Sequence, residues 1–435
     1  MTSQLLCSEI FISGLSTERA FADTVLAVPG LAGVDWALGY DVDMPRRQVR
    51  ATVLGAFESR AVYRAGEGCL LVRGNARLKD GVYTGAPAQL APRAPDPDGD
   101  AVITPVNDAL RAAMTAAFAE PEQAPYRHTR AIVVIHRGKI VGEQYAPGFG
   151  IDTPLKSWSV AKSATNALIG VLIRQGRLST ASISLPGWQD ADDPRRQISL
   201  DMLLRHTSGL ALAQTNSGFD PSTRMKFVES DMAGFAQSAL PEAAPGTRWA
   251  YTDGHYMLLS RIVRDAAGGS ADKVREFAAR ELFGPVGMRN VTMEFDATGT
   301  PLGSHSFYAT ARDWARLGLL YLNDGMVGDR RILPQDWVRY TLTPTLDTGY
   351  GAGFYLNHLE GNVPGWGVPW GMRDVPRDAF FARGYLGQYI VVVPSKNLVV
   401  AKFGTSQVKG DDIDGANRLV ADVIAALEGR PAPAR

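Results

Sequence analysis

The stretch that most constrains this chain is Ser157-Trp-Ser-Val-Ala-Lys-Ser163, which opens a run continuing to Arg174. Its apolar residues fall at Val160, Ala164, Ala167, Leu168, Val171 and Leu172, which predicts one face of a helix closed by Gly176. Ser159 and Lys162 stand three apart, so both side chains project from one side of the first turn. A serine hydroxyl is a weak nucleophile at neutral pH and needs an adjacent base. A lysine becomes that base when its ammonium form is disfavoured, and burial and the positive helix end both act in that direction. Backbone N–H groups free at the same helix start are suited to receive a developing oxyanion. One turn of helix can therefore supply nucleophile, base and part of an oxyanion site.

The pattern S-x-x-K occurs twice. The second copy, Ser270-Ala-Asp-Lys273, follows Gly268-Gly269 and precedes a polar run. A helix N-cap serine with an exposed lysine accounts for it. The Ser159 copy differs because it enters a long apolar helix, where a lysine is hard to solvate.

The chain of 435 residues has room for two or three domains. Lys+Arg 45 balances Asp+Glu 45, so no global field favours nucleic acid or an acidic membrane. No apolar run approaches the length of a membrane span. The six histidines are scattered, without H-E-x-x-H or a Cys/His cluster, so no metal site and no cofactor are expected. There is no G-x-S-x-G elbow and no P-loop. The start, Met1-Thr-Ser-Gln-Leu-Leu-Cys-Ser-Glu-Ile, lacks a basic region and is interrupted by Glu9, so it does not read as a signal peptide. The expectation is a cytoplasmic protein, or a periplasmic one whose export segment has been removed. Cys7 and Cys69 leave one pairing; free buried thiols fit a reducing compartment and a disulfide fits export.

Along the chain, residues 1 to about 84 mix short helical and strand-like stretches without visible chemistry. Residues 85–100 are rich in proline and alanine and read as a linker or extended strap. Asp108–Phe118 reads as a helix. Arg130–Tyr145 gives two β-branched runs around His136-Arg-Gly-Lys, a hairpin. Residues 180–300 read as mostly helical and include Ile198–Leu210, a helix ended by Gly209. Ala309–Leu322 is a strongly amphipathic helix. Tyr389–Pro394 and Leu398–Gly404 read as strands joined by Ser395-Lys-Asn, and Asp411–Leu427 as a closing helix. Strands flanking a helical middle imply an α/β (α+β) fold, an antiparallel sheet with a helical region inserted in it. The boundaries expected are 1–105 for an N-terminal extension with its linker and 106–435 for the main domain, with the helical insertion at about 180–300.

In this order the pieces resemble the serine β-lactamase and penicillin-binding-protein-like superfamily, in its class C-like branch of esterases, D-aminopeptidases and 6-aminohexanoate-dimer hydrolases. The resemblance covers residues from about 126 to 430. Its motifs are Ser159-Val-Ala-Lys162, Leu203-Leu-Arg-His-Thr-Ser-Gly-Leu210, Tyr251-Thr-Asp253, Tyr308-Ala-Thr-Ala-Arg-Asp313 and Ala382-Arg-Gly-Tyr-Leu-Gly-Gln-Tyr-Ile-Val-Val-Val-Pro394.

The resemblance implies that Tyr251 is the tyrosine of the family's Y-x-N element. It would take the proton of Ser159 beside Lys162 and return it to the leaving group. Packing of an interfacial tyrosine is the alternative. Asp253 stands where the family has asparagine. It either raises the pKa of Lys162 and favours a Tyr251 phenolate, or simply caps the helix beginning at Gly254. The family's Lys-Thr-Gly element is absent; counting back from Gly387-Gln388 puts Ala379-Phe380-Phe381 in its place, which disfavours a cephalosporinase. The backbone N–H groups of Ser159 and Ala382 are the expected oxyanion donors. His305, Tyr385, Trp366 and Trp370 are candidates for the substrate wall, against a surface loop for His305 and loop packing for the tryptophans. Arg205 and His206 read as structural. The expectation is a serine hydrolase acting on a small amide or ester through an acyl-enzyme, of nylon-oligomer amidase or carboxylesterase type. A β-lactamase or D-amino-acid peptidase comes second, and a sensor that acylates without turnover is the rival from another class. The oligomeric state is open, with a homodimer among the options.

Overall fold

The computed structural model describes residues 1–72, 96–181, 185, 187–215 and 218–432. The N-terminal region begins with helix α1 (Thr2–Phe11), followed by a four-stranded antiparallel sheet in the order β1 (Leu38–Asp43), β2 (Gln48–Val53), β3 (Phe57–Arg64) and β4 (Gly68–Val72). Thr2 to Ile10 are all buried, because α1 lies between this sheet and the body of the protein. Its polar groups are matched accordingly. Gln4 donates to the Cys69 carbonyl at 2.8 Å, Ser8 donates to Glu294 at 2.8 Å, and Glu9 pairs with Arg130 at 2.8 Å. Cys7 and Cys69 form a disulfide rather than two free thiols, tying α1 to β4.

The body is built on a six-stranded antiparallel sheet. In chain order its pieces are α2 (Asp108–Phe118), β5 (Thr129–His136), β6 (Lys139–Tyr145), α3 (Ala161–Arg174), α4 (Pro221–Val228), α5 (Asp253–Ala267), α6 (Ala311–Leu322), β7 (Tyr355–Leu356), β8 (Phe380–Gly384), β9 (Gln388–Val393), β10 (Leu398–Gly404) and α7 (Ile413–Leu427). The strand order is β7-β8-β9-β10-β5-β6. Side chains alternate along each strand: Ala131, Val133 and Ile135 of β5 join the core beneath α3, α5 and α6, while Ile132 and Val134 join the core beneath α2 and α7. With helices on both faces neither side of the sheet is wet, which is why its strands read as unbroken apolar runs rather than as alternation.

Several expectations shift at their ends. The helix expected over Ile198–Leu210 is only Leu200–Leu204, capped by Ser199. His206 turns to φ +60° and Arg205 reaches across to the carbonyls of Tyr340 and Thr343, so the chain leaves the helix before Gly209. Ser270 caps the helix Ala271–Ala278, and Lys273 pairs with Glu276 on the surface. Most of the expected Pro-rich linker lies outside the described residues. Its end is no free tether, since Asp96 is buried against Arg289 and Arg316, and Arg312 donates to the carbonyls of Gly99 and Ala101.

Candidate active site

The chain enters the site from the short strand Leu155–Lys156, which pairs with Tyr308 and Ala309. It turns through a 3₁₀ segment, Trp158–Val160, into α3. Trp158 holds φ +45°, a left-handed conformation that costs a bulky residue about 1–3 kcal/mol and persists where the surroundings fix it. The residue thus offered at the helix start is Ser159, at the floor of a cleft of about 600 Å³. Lys162, one turn on, is buried and places Nζ 3.1 Å from Ser159 Oγ. The same ammonium donates to Asp253 Oδ1 at 2.5 Å and to the Ser304 carbonyl at 2.9 Å.

Tyr251 stands two residues before α5 and lines the same cleft as Ser159. Its ring is clamped by His206 at 4.5 Å and Trp366 at 5.1 Å between centroids, and Lys162 Nζ lies 4.8 Å from its centre. Asp253 does not cap α5; Thr252 does, accepting from the Gly254 N–H. The Asp253 carboxylate instead bridges two lysines, with Lys226 Nζ from α4 at 2.7 Å on Oδ2, and its N–H donates to Gln214.

The charges in this cluster follow from burial first. Desolvation pulls Lys162 down to about 8; Asp253 opposes the shift and Lys226 adds to it. Asp253 itself is held well below the usual carboxylate range by the two ammonium groups, which outweigh its burial. Burial pushes the Tyr251 phenol well above its ordinary value, with Tyr355 and Asp253 adding to it. Asp253 thus raises the pKa of Lys162 as expected, though burial outweighs it. The expected Tyr251 phenolate is corrected: burial keeps the phenol neutral, and the lysine is the group that titrates near neutrality.

The remaining expected residues divide. Tyr385 and Trp366 line the cleft. His305 also lines it, but as a buried residue with Nδ1 2.6 Å from Ser304 Oγ, not as a surface histidine. Burial holds its imidazole neutral. Trp370 is not in the cleft wall; it packs behind it, 5.1 Å from Trp249. Ala382 is likewise displaced. It sits inside β8 opposite Ile390 and is 1% exposed. The strand meets the nucleophile turn two residues later, where a Cβ on Gly384 would stand 2.4 Å from the Ser157 carbonyl oxygen. The run beside Ser159 is thus Ala382-Arg-Gly-Tyr385, the head of the Ala382–Pro394 motif, while the Lys-Thr-Gly count to Ala379-Phe380-Phe381 falls short of it. The run carries Arg383, whose guanidinium is paired with Asp411 at 3.0 Å.

Sequence reasoning missed Lys226 and Gln214, which reach the cluster from other segments with no pattern to announce them, and His255, which follows Asp253 on α5. His255 places Nδ1 3.0 Å from His206 Nδ1 and Nε2 2.6 Å from Ser208, behind Tyr251. Burial lowers His255 to about 3, so this backing is uncharged. Among the described residues no cluster of His, Cys, Asp or Glu could hold a metal ion, and no helix is long and apolar enough to cross a membrane.

A sheet covered by helices on both faces, with a serine-lysine-tyrosine cluster at its edge, defines the class, and solved structures share the fold. A Bacillus anthracis protein described as a candidate 6-aminohexanoate-dimer hydrolase superposes with TM-score 0.60 at 20% identity, covering 78% of this chain and 91% of that one. The esterase EstA of Arthrobacter nitroguajacolicus Rue61a gives 0.55 at 16% identity, over 75% and 98%. The 6-aminohexanoate-dimer hydrolase of Paenarthrobacter ureafaciens is 24% identical over 270 residues, 55% of this chain and 67% of that one. The Beta-lactamase family profile matches residues 114–425, and the chain belongs to that family. Its fold is the β-lactamase-like mixed α/β fold, and the proteins just named carry hydrolase and esterase names.

Proposed function

We propose that this protein is a serine hydrolase that opens small amides or esters through an acyl-enzyme on Ser159. The observation that carries the reading is the Lys162 amine 3.1 Å from Ser159 Oγ and 4.8 Å from the centre of the Tyr251 ring, with Ser159 and Tyr251 lining one roomy cleft. Neutral Lys162 takes the proton as Ser159 Oγ bonds to the carbonyl carbon. The oxyanion falls to the N–H of Ser159 and, in place of Ala382, to the N–H of Tyr385 at the end of β8. Neutral Tyr251 donates its proton to the departing nitrogen or oxygen as the carbon–heteroatom bond breaks, and the phenolate so formed recovers a proton from the Lys162 ammonium. Water then attacks the ester carbonyl, passes a proton to the same groups, and releases the acid and Ser159.

Within that chemistry a 6-aminohexanoate-oligomer amidase or carboxylesterase is the favoured substrate class, supported by the apolar aromatic wall of the cleft and by the relatives above. A β-lactam or D-alanyl amide comes second: the one basic side chain at the strand end, Arg383, is already engaged by Asp411. Hydrolysis of p-nitrophenyl acetate, p-nitrophenyl butyrate, the linear 6-aminohexanoate dimer, a D-alanyl amide and a chromogenic cephalosporin by wild type and Ser159→Ala tests the reading. Loss of turnover in the variant is expected. Equal turnover by both proteins rules the mechanism out, and labelling of Ser159 without turnover marks a sensor.

A further inference from the structure

The cleft that holds Ser159 is not built by the family body alone. Val28, Pro29, Gly30 and Leu31 form part of its wall, although they lie far outside the matched residues 114–425. Pro29 is exposed and Leu31 half-buried, so the segment offers apolar surface to whatever fills the cleft. It is not a loose flap. Val28 belongs to an apolar cluster with Leu5, Leu6 and Val25, and Trp158 and Leu386, the neighbours of Ser159 and Tyr385, are packed into the same cluster. The region is anchored at three further points: the Cys7–Cys69 disulfide, the Glu9–Arg130 pair, and Glu294, whose Oε1 accepts from Ser8 and from the Cys69 N–H, both at 2.8 Å.

We infer that the N-terminal region is a specificity element of the active site, and that Leu31 is the residue with which it selects substrates carrying an apolar arm of several carbons. The inference rests on the serine hydrolase reading and deepens it. A small acyl group such as acetyl reacts at Ser159 without reaching residues 28–31, whereas a longer hydrocarbon arm gains contact with Leu31 and leaves water.

The test compares wild type, Leu31→Ala and Leu31→Trp on p-nitrophenyl acetate, on p-nitrophenyl octanoate with its arm on the acyl side, and on octyl acetate with its arm on the leaving side. Wild type is expected to favour at least one long substrate over p-nitrophenyl acetate in kcat/KM. Leu31→Ala, which removes three carbons of a half-buried side chain, is expected to lower kcat/KM for that substrate at least about tenfold, chiefly through KM. Acetate turnover stays within about twofold of wild type. Leu31→Trp, which fills the same space, spares p-nitrophenyl acetate and blocks the long substrate. An equal loss on short and long substrates would show a structural role and overturn the inference, as would no loss on either or a wild type indifferent to chain length. Ser159→Ala on p-nitrophenyl acetate, run alongside, reports separately on the underlying reading: activity persisting there overturns the nucleophile, whatever Leu31 does.

Discussion

Asp253→Asn should move the acid limb of the pH–rate profile toward lower pH. In the wild-type cluster Asp253 lies 2.5 Å from Lys162 and opposes the fall in its pKa, leaving it at about 8. An adjacent opposite charge is worth about one to three units, at about 1.4 kcal/mol each. Removing the charge lowers Lys162 by that amount, and Lys226, no longer neutralised, pushes the same way. The reactive form is the neutral amine, so activity is low below the pKa and rises through it. With a pKa of about 8, the neutral share is about 1% at pH 6 and about 90% at pH 9, a rise of about ninetyfold. With a pKa of about 6 the same interval gives a rise of only about twofold. The assay is kcat/KM for p-nitrophenyl acetate from pH 5.5 to 9.5, with active sites counted by a covalent serine label. A limb that stays near 8 in Asp253→Asn, or climbs above it, would refute the assignment of Lys162 as the titrating base.

Three further outcomes follow from the same geometry. Tyr251→Phe keeps the ring between His206 and Trp366 but removes the proton donor, and amide turnover should drop about 10²–10⁴-fold; a change under threefold would remove Tyr251 from proton transfer. Gly384→Ala puts a Cβ 2.4 Å from the Ser157 carbonyl oxygen and should cost about a hundredfold in kcat/KM by displacing the nucleophile turn, whereas wild-type rates would show that the strand end does not position it. Cys7→Ser with Cys69→Ser opens a link across 62 residues and should lower stability by about 4 kcal/mol in guanidinium unfolding of the N-terminal region; a loss under about 1 kcal/mol would contradict that.

The parts of the fold legible in the sequence are those written in local periodicity. α3 and α6 announce themselves by apolar spacing, and β5, β9 and β10 by β-branched runs bounded by turns. Ser159 and Lys162 could be placed on one side of a helix because three residues of separation fixes their geometry. What lay beyond reach was set by pairing across the chain. Lys226 comes from α4 to share Asp253, Thr252 takes the cap that Asp253 was offered, and Arg205 stops a helix by binding carbonyls some 135 residues away. The oxyanion donor was placed at Ala382, short of where β8 touches the nucleophile turn, because a count from Gly387 ignores that contact. That is decided by the missing side chain at Gly384, not by the count. The burial of α1 was equally hidden, since the partners of its polar residues, Glu294 and Arg130, lie far along the chain.

The most direct test of the central claim is the mass of the trapped intermediate. Wild-type protein mixed with a slowly hydrolysed p-nitrophenyl ester is quenched in acid, weighed intact and digested. The account predicts one added acyl group per chain, on the peptide carrying Ser159, absent from Ser159→Ala and accumulating at the rate of the nitrophenol burst. Acyl transfer to another residue, or steady turnover with no acylated protein under any quench, would contradict it.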